Sequence, residues 1–381
     1  MIKITIFCIL KKNVIVILID GGRLDWAKKS NFFQSLDSVF FSQTITYAPY
    51  TTSAMHAFIS GTFGNRNGAN SYWNVYEFKK NKFKTLSSYL QENDYKTYSD
   101  CHSELILPKI GFDNFAVYDE KNTDLLSRHS RLLNDMKKIQ NNGENFFLYL
   151  HYSPIHTGIM EEVLKVYDNF SKEFFDNPQV AKDRYHRLFD DAEYYLQNML
   201  DEIKKLQLLD NSIILISADH GVSIGEKFGE KAYGAFCYDY TIRTFAYLLA
   251  NELPKLEIKQ QIRHVDFLPT ILDFLNIPID TSYETIDGQS LLPLIKGESV
   301  EEKIAFTETG NPLKSNKPPK LPNTKSIRTS QWKLIINEYN DTKELYNLIK
   351  DPDEKTNLIE QNLPIEKELF NEFLKIQDFN K

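Results

Sequence analysis

The sequence predicts an α/β fold in which a central, mainly parallel sheet is flanked by helices. The prediction rests on runs of β-branched and aliphatic residues that alternate with helical patterns, as in successive βαβ units. The expected strands are Asn13–Ile19, Lys96–Ser99, Asn145–His151, Ser212–Ser217 and Thr244–Ala250, and the expected helices are Thr85–Glu92, Thr123–Ile139, Asp183–Leu206 and Val265–Leu275.

Each element has its own signal. Asn13–Ile19 and Ser212–Ser217 are nearly unbroken apolar runs, which is typical of strands buried on both faces. Asp190–Leu206 has apolar residues at helical spacing, so it is expected to cover one face of the sheet. Thr157–Lys182 is rich in Phe and charged residues without a strand pattern, and we expect an insertion over the ligand crevice.

A small carboxy-terminal subdomain is expected to follow the main sheet. Asn311–Pro322 is rich in Pro and Lys, which indicates an exposed loop. Ser326–Ile336 is expected to form a strand with a turn before it, and Ile365–Ile376 a final helix. The predicted division is a catalytic domain over 1–300 and a subdomain over 301–381.

Composition narrows the class of protein. The chain has 381 residues, of which 42% are hydrophobic and 25% charged, as in an ordinary globular protein. A net charge of -7 with scattered Lys and Arg argues against nucleic-acid binding.

The sequence shows no clear signal for secretion or for a membrane span. Met1–Leu10 is apolar but short and lacks a cleavage site, and no run of about 20 apolar residues occurs elsewhere. We therefore expect a cytoplasmic protein without a membrane span.

Charged side chains follow two of the apolar strands. Asp20 comes directly after the first, and Asp219 and His220 follow Ser212–Ser217. The carboxyl ends of parallel strands open into the ligand crevice, where unpaired acids are expensive to bury. The sequence therefore predicts a metal site assembled from distant parts of the chain, and hence a metal-dependent enzyme.

Hydroxyl side chains precede a helical pattern at Ser53–Ser60, which Gly61 ends. One of Thr51, Thr52 and Ser53 could simply cap the helix, because a hydroxyl oxygen satisfies a free amide there. One could instead be a nucleophile, since a helix amino terminus and a nearby cation both favour an anionic oxygen. The residues alone leave both interpretations open.

Motifs in a fixed order carry a resemblance to the sulfatase-like branch of the alkaline phosphatase superfamily. Thr51 stands ten residues before Gly61, the family's spacing from nucleophile to turn glycine. The other resembling segments are Ile19–Asp25, Gly64–Gly68, Ser217–Gly221, Val265–Leu272 with Asp287–Pro293, and, in the subdomain, Trp332–Ile335, Glu344–Leu348 and Asp351–Leu358.

The resemblance implies one divalent-metal site formed by Asp20, Thr51, Asp219 and His220, with Thr51 as both ligand and nucleophile. Carboxylates, an imidazole and a hydroxyl suit zinc, manganese, magnesium or calcium. The resemblance also implies catalytic roles for His151 and His156, which could bind the oxyanion or protonate the leaving group. His56 and Lys231 are expected to bind substrate.

The chain departs from the family pattern at three positions. Many sulfatases carry a Cys or Ser that is converted to formylglycine, and Thr51–Met55 does not fit that motif. Gly21 stands where a second Asp is usual, and Gly234 lies near the position of an expected Lys or His, with Lys231 a possible substitute. A threonine combined with two Asp and one His as metal ligands is more similar to the sites of phosphoethanolamine transferases and lipoteichoic acid synthases of the same superfamily. Those proteins are membrane-anchored.

The predicted activity is metal-dependent hydrolysis of a phosphate or sulfate ester, on a small-molecule or saccharide substrate, through Thr51. By analogy, a threonine nucleophile favours a phosphate ester over a sulfate ester as the substrate. Two alternatives stay open at this point: a soluble phospho-group transferase in surface-polysaccharide assembly, and a non-catalytic binding protein that kept the fold. The oligomeric state is not predicted.

Overall fold

A computed structural model describes residues 11–312, 317 and 319–378 and contains two sheets. The strands are β1 (Asn13–Ile19), β2 (Val39–Ile45), β3 (Tyr95–Cys101), β4 (Asn114–Val117), β5 (Asn145–Tyr152), β6 (Ser212–Ala218), β7 (Arg243–Leu249), β8 (Leu256–Ile258), β9 (Ile262–Arg263), β10 (Ala305–Thr309), β11 (Thr324–Arg328), β12 (Trp332–Asn337) and β13 (Thr342–Asn347). The α-helices are α1 (Leu24–Lys29), α2 (Asn31–Ser35), α3 (Thr51–Ser60), α4 (Gly64–Asn67), α5 (Leu86–Glu92), α6 (Leu125–Asn141), α7 (Pro154–Ile159), α8 (Lys172–Asp176), α9 (Pro178–Lys205), α10 (Asp239–Ile242), α11 (Phe267–Phe274), α12 (Leu292–Ile295) and α13 (Pro364–Asp378).

The main sheet has the order β4-β3-β5-β1-β6-β7-β2-β8, with β9 also paired to β2. Strands β4 through β6 in this order are parallel, whereas β7 is antiparallel to both of its neighbours. The register pairs Ile19 at the end of β1 with Tyr152 of β5 and Ala218 of β6. The residues that follow these three strands therefore meet at one edge of the sheet.

Helices cover both faces of this sheet, which confirms the predicted fold class. Strand β1 is fully buried, and its alternate residues enter two different cores. Residues of α6 and α9 pack on Ile15 and Ile17, and residues of α3, α5 and α11 pack on the opposite face with Val14 and Val16. No helix in the described part of the chain is long and apolar enough to cross a bilayer. The cytoplasmic location stays a prediction.

The second sheet is antiparallel, with the order β10-β11-β12-β13, and α13 packs on it. The prediction of one strand over Ser326–Ile336 is wrong: a turn at Thr329 divides the segment into β11 and β12. The Thr329 hydroxyl accepts hydrogen bonds from the amides of Gln331 and Trp332, which stabilises that turn. The predicted loop Asn311–Pro322 lies partly outside the described residues.

A buried ion network joins the second sheet to the main one. Asp239, at the start of α10, lies 2.8 Å from the Arg328 guanidinium and 2.5 Å from Lys333 Nζ. Lys333 is fully buried and also lies 2.7 Å from Glu354. Because the two cations have no access to water, their charges depend on these carboxylates.

We expect Asp239→Ala to lower the free energy of unfolding by about 3–5 kcal/mol, because Arg328 would lose the carboxylate that it pairs with while buried and Lys333 would keep only Glu354. Chemical denaturation measures this loss. Asp353→Asn is the matched control, since Asp353 pairs with Lys355 at the surface; it should change stability by less than about 0.5 kcal/mol. An equal loss in both variants would contradict the role of the buried network.

Candidate active site

The ends of β1 and β6 and the start of α3 bring the predicted metal ligands together. The Thr51 hydroxyl lies 3.3 Å from Asp20 Oδ2 and 3.3 Å from His220 Nε2. His220 Nε2 also lies 3.6 Å from Asp20 Oδ1 and 3.5 Å from Asp219 Oδ2. All four side chains are at least nine-tenths buried. The predicted set therefore forms a single cluster.

Thr51 does not cap its own helix. It is the first residue of α3, and the capping position belongs to Tyr50, whose side chain makes no cap hydrogen bond. The hydroxyl of Thr51 is thus left to contact Asp20 and His220. The capping interpretation is therefore wrong for Thr51, and its role as a nucleophile stays a prediction.

The backbone orients the two ligands that follow β6. Asp219 Oδ1 accepts hydrogen bonds from the amides of Gly21 and His220, at 3.1 and 2.9 Å. His220 Nδ1 donates to the Gly221 carbonyl at 2.8 Å, which leaves the Nε2 lone pair facing the cluster. Metal-binding histidines usually donate their other ring N–H to a carbonyl or carboxylate oxygen in this way.

Two carboxylate oxygens in the cluster are buried without a hydrogen-bond partner among the described residues. They are Asp20 Oδ1 and Asp219 Oδ2. An unpaired buried carboxylate oxygen is costly, and a divalent cation would satisfy both atoms at once. Together with the imidazole and hydroxyl, these donors fit a divalent cation.

The same cluster perturbs the acids electrostatically. Burial raises the pKa of Asp20, but His156, His151 and His220 outweigh it and hold the pKa below its ordinary value. Burial and the neighbouring Asp20 raise the pKa of Asp219. The raised pKa of Asp219 reflects its burial beside the Asp20 carboxylate, an arrangement that suits a bound cation.

His151 and His156 occupy different surroundings. His151 is fully buried, and its Nε2 donates to Asp20 Oδ2 at 3.2 Å while its Nδ1 lies 2.9 Å from the Tyr149 hydroxyl. His156 borders an open cavity, with Nδ1 at 2.8 Å from the Tyr233 hydroxyl. Of these two histidines, only His156 therefore borders the space that a substrate would occupy.

The cavity has a volume of about 420 Å³ and is lined by Thr51, His156 and Lys231, among others. Lys231 is 4% exposed, and burial lowers its pKa although Asp168 opposes this. His56 is not among the lining residues; its Nδ1 lies 2.8 Å from the Thr52 carbonyl and its ring contacts Phe78. The predicted substrate contact of His56 stays a prediction that no contact of the side chain supports.

Comparison with known proteins assigns the family. The model of the sulfatase family matches residues 12–277, and that of the N-sulphoglucosamine sulphohydrolase carboxy-terminal region matches residues 235–378. The chain belongs to the sulfatase family. Arylsulfatase K of Canis lupus familiaris is 27% identical over 192 residues, a match that covers 46% of this chain but only 32% of the relative.

Solved structures show that the fold of this sulfatase-family chain is shared along almost its whole length. The phosphonate monoester hydrolase SpPMH from Silicibacter pomeroyi aligns with a TM-score of 0.75 at 15% identity, covering 97% of this chain and 96% of that one. A protein solved in complex with its substrate D-glucosamine-2-N,6-O-disulfate aligns with a TM-score of 0.70 at 18% identity, covering 97% and 98%.

Local backbone geometry explains why this member of the sulfatase family has glycine after Asp20. Gly21 has a φ of +75°, a region that side-chain-bearing residues rarely adopt. A Cβ there would lie 3.0 Å from Val222 and 3.2 Å from Ile155. An aspartate in place of Gly21 would therefore need a different turn.

Sequence reasoning missed several residues at this sulfatase-family site. His102, which follows β3, and Tyr233 both line the cavity. Burial, together with His151 and His156, lowers the pKa of His102 to about 3, although Asp20 opposes the shift. Glu120, which follows β4, lies 3.9 Å from His102. A signal was available for His102, because it comes directly after a parallel strand as Asp20 and Asp219 do. Tyr233 lies in the long loop after β6 and has no such signal.

Proposed function

We propose that the chain hydrolyses a phosphate or sulfate ester of a small molecule or saccharide, with Thr51 as the nucleophile. The observation that carries this proposal is the position of the Thr51 hydroxyl. It lies 3.3 Å from both Asp20 and His220, and Thr51 also lines the cavity. A substrate in the cavity could therefore meet the hydroxyl directly.

Asp20, Thr51, Asp219 and His220 would hold one divalent cation, and zinc, manganese, magnesium and calcium all stay candidates. When bound, such a cation favours the anionic form of a hydroxyl and offsets the charge of the transferred group. His151 donates a hydrogen bond to Asp20 and is itself held by Tyr149, so we assign it a positioning role.

The proposed reaction has two steps. The Thr51 hydroxyl releases its proton to solvent, and its oxygen bonds to phosphorus or sulfur while the bond to the ester oxygen breaks. His156 supplies the proton that the leaving oxygen needs and is then reprotonated from solvent. Water then attacks the covalent intermediate, the bond to Thr51 breaks, and the threonine hydroxyl recovers a proton. Lys231 would pair with the oxygens of the transferred group that do not react.

Phosphate is the preferred group within this proposal. Support comes from the unmodified threonine nucleophile and from the structural likeness to a phosphonate monoester hydrolase. A sulfated saccharide is the competing substrate, since one neighbour was solved with a glucosamine disulfate. Efficient cleavage of an aryl sulfate, with little cleavage of the matching phosphate, would overturn the preference.

The test is a panel of aryl phosphates, phosphodiesters and aryl sulfates, each assayed with zinc, manganese, magnesium and calcium. Hydrolysis of at least one ester that depends on the added cation is the expected result. Turnover that requires a sugar hydroxyl as acceptor would indicate a transferase instead. Absence of turnover across the panel, with cation bound, would favour a binding protein.

Lys231→Gln is expected to lower kcat/KM by about ten- to a hundredfold, because one buried positive charge beside the anionic group is lost. Steady-state kinetics with the best ester of the panel measures the effect. Lys172→Gln is the control, since the Lys172 side chain is 84% exposed. Equal activity of the two variants would remove Lys231 from the substrate site.

A further inference from the structure

Four apolar side chains line the cavity that Thr51 also borders, and we call them the apolar lining. They come from two segments, one after β3 and one after α7, and are Leu105, Ile106, Met160 and Leu164. A molecule whose transferred group meets the Thr51 hydroxyl would share the cavity with this surface. Apolar parts of such a molecule would lose contact with water there, which favours binding.

The segment after α7 contributes apolar side chains to the cavity and keeps its acids out of it. Met160–Leu164 forms one turn of π-helix, a geometry that is frequent at functional sites. Met160 and Leu164 are the first and last residues of this turn, and both line the cavity. Glu161 and Glu162 do not line it, and they pair with basic side chains outside it at 3.4 and 2.8 Å. The turn therefore offers the cavity no carboxylate.

The carboxylate that does line the cavity, Glu230, is already satisfied by the protein. Its Oε1 accepts hydrogen bonds from the amides of Ala235 and Phe236, at 2.9 and 3.0 Å. Its Oε2 accepts one from the Tyr240 hydroxyl at 2.8 Å. A sugar needs several free polar partners, because each hydroxyl that leaves water without a hydrogen bond weakens binding. Glu230 is not free to be such a partner.

Exposed aromatic side chains stand next to the cavity. Phe170 and Phe228 are 41% and 60% exposed, their ring centres lie 6.2 Å apart, and Phe175 lies 4.7 Å from Phe228. Asn169, directly before Phe170, lines the cavity, and so does Glu230, two residues after Phe228. A cluster of exposed apolar side chains beside a cavity is a common mark of a ligand-binding groove.

We propose that the leaving group of the natural ester is an extended alkyl chain, which packs on the apolar lining while the transferred group meets Thr51. The far end of a longer chain would contact Phe170 and Phe228. The inference rests on the proposed hydrolysis and narrows its substrate class, since esters of sugars become poor substrates. Each methylene that the cavity buries should tighten binding by about three- to fourfold.

Binding of methyl-, butyl- and octylphosphonate to the cation-loaded protein tests the inference without reference to turnover. Calorimetric titration should give a Kd about thirtyfold lower for butyl- than for methylphosphonate, and lower again for octylphosphonate. Leu164→Asn and Met160→Gln should each reduce the preference for butyl over methyl by about three- to tenfold. Met160 is 45% exposed, so its variant keeps the test usable if Leu164→Asn does not fold. Val166→Asn is the control, since Val166 is 67% exposed and does not line the cavity.

A Kd that does not depend on chain length would overturn the inference, as would failure of all three phosphonates to bind. So would an unchanged preference in a folded Met160→Gln variant. Kinetics separate this inference from the proposed hydrolysis: kcat/KM for octyl phosphate should exceed that for glucose 6-phosphate by at least about tenfold. Equal rates for the two esters would overturn the inference and leave hydrolysis standing. Binding that depends on chain length without any turnover would support the inference and count against hydrolysis.

Discussion

Thr51→Ala is expected to reduce kcat/KM for ester hydrolysis by at least about a thousandfold. The substitution removes the hydroxyl that lies 3.3 Å from both Asp20 and His220. Any residual rate would come from direct attack by water on the bound ester. Steady-state kinetics with the best substrate of the panel measures the loss.

Two companion variants make this result specific. Thr51→Ser keeps a hydroxyl at the same point of α3 and should retain measurable turnover. Thr52→Ala removes the adjacent hydroxyl, which is buried and also lines the cavity, and should retain most of the activity. Loss of activity in Thr52→Ala but not in Thr51→Ala would identify Thr52, and not Thr51, as the nucleophile.

A covalent adduct is the second expected consequence of nucleophilic attack by Thr51. Acid quenching during turnover followed by mass spectrometry should find the transferred group on the peptide that contains Thr51. Because the adduct forms and is hydrolysed in every turnover, its amount should fall as the ester is exhausted. A hydrolysing protein that never carries the group on Thr51 would contradict the proposed chemistry.

The strand ends explain how much of the site could be predicted from sequence. Asp20 and Asp219 follow long apolar runs whose identity as buried strands is hard to mistake. Parallel register then brings the two ends together, whatever the distance along the chain. Glu120 follows the short strand β4, which is partly exposed and has no comparable pattern, so its place beside His102 could not be predicted.

Elsewhere tertiary contacts decided the structure. Strand β2 (Val39–Ile45) was not predicted, because its polar residues interrupt the apolar pattern although neighbouring strands bury most of it. The prediction for α9 began at Asp183, whereas the helix begins at Pro178, a residue that readily starts a helix. Helices in Thr157–Lys182 were missed because their segments are short.

Asp219→Asn is expected to change stability in opposite directions with and without a cation. In the cation-loaded protein the variant loses a charged ligand and binds the cation more weakly. Cation binding stabilises the folded chain by about 4 kcal/mol when the cation concentration is about a thousand times its Kd, so up to that much stability can be lost. In chelated protein the same variant should be more stable than the unaltered chain. Thermal melting in zinc and in chelator measures both effects.

The expected gain in stability of Asp219→Asn in chelator follows from the closeness of the Asp20 and Asp219 carboxyl groups. Burial and Asp20 raise the pKa of the Asp219 carboxyl, so the folded chain holds that proton more tightly than the unfolded chain does. Stability of the chelated protein is therefore lost as the pH rises and the carboxyl ionises. Asparagine cannot ionise, and its oxygen can keep the hydrogen bonds from the Gly21 and His220 amides.

The advantage of Asp219→Asn in chelator should consequently grow with pH and vanish under acid conditions, where Asp219 is protonated. The cation reverses the sign, because its positive charge makes the ionised carboxylate the favoured form. Asp353→Asn at the surface serves as control and should show neither effect. If Asp219→Asn changes the melting temperature in the same direction with and without cation, Asp219 is not a metal ligand. The proposed cation site beside Thr51 would then be wrong.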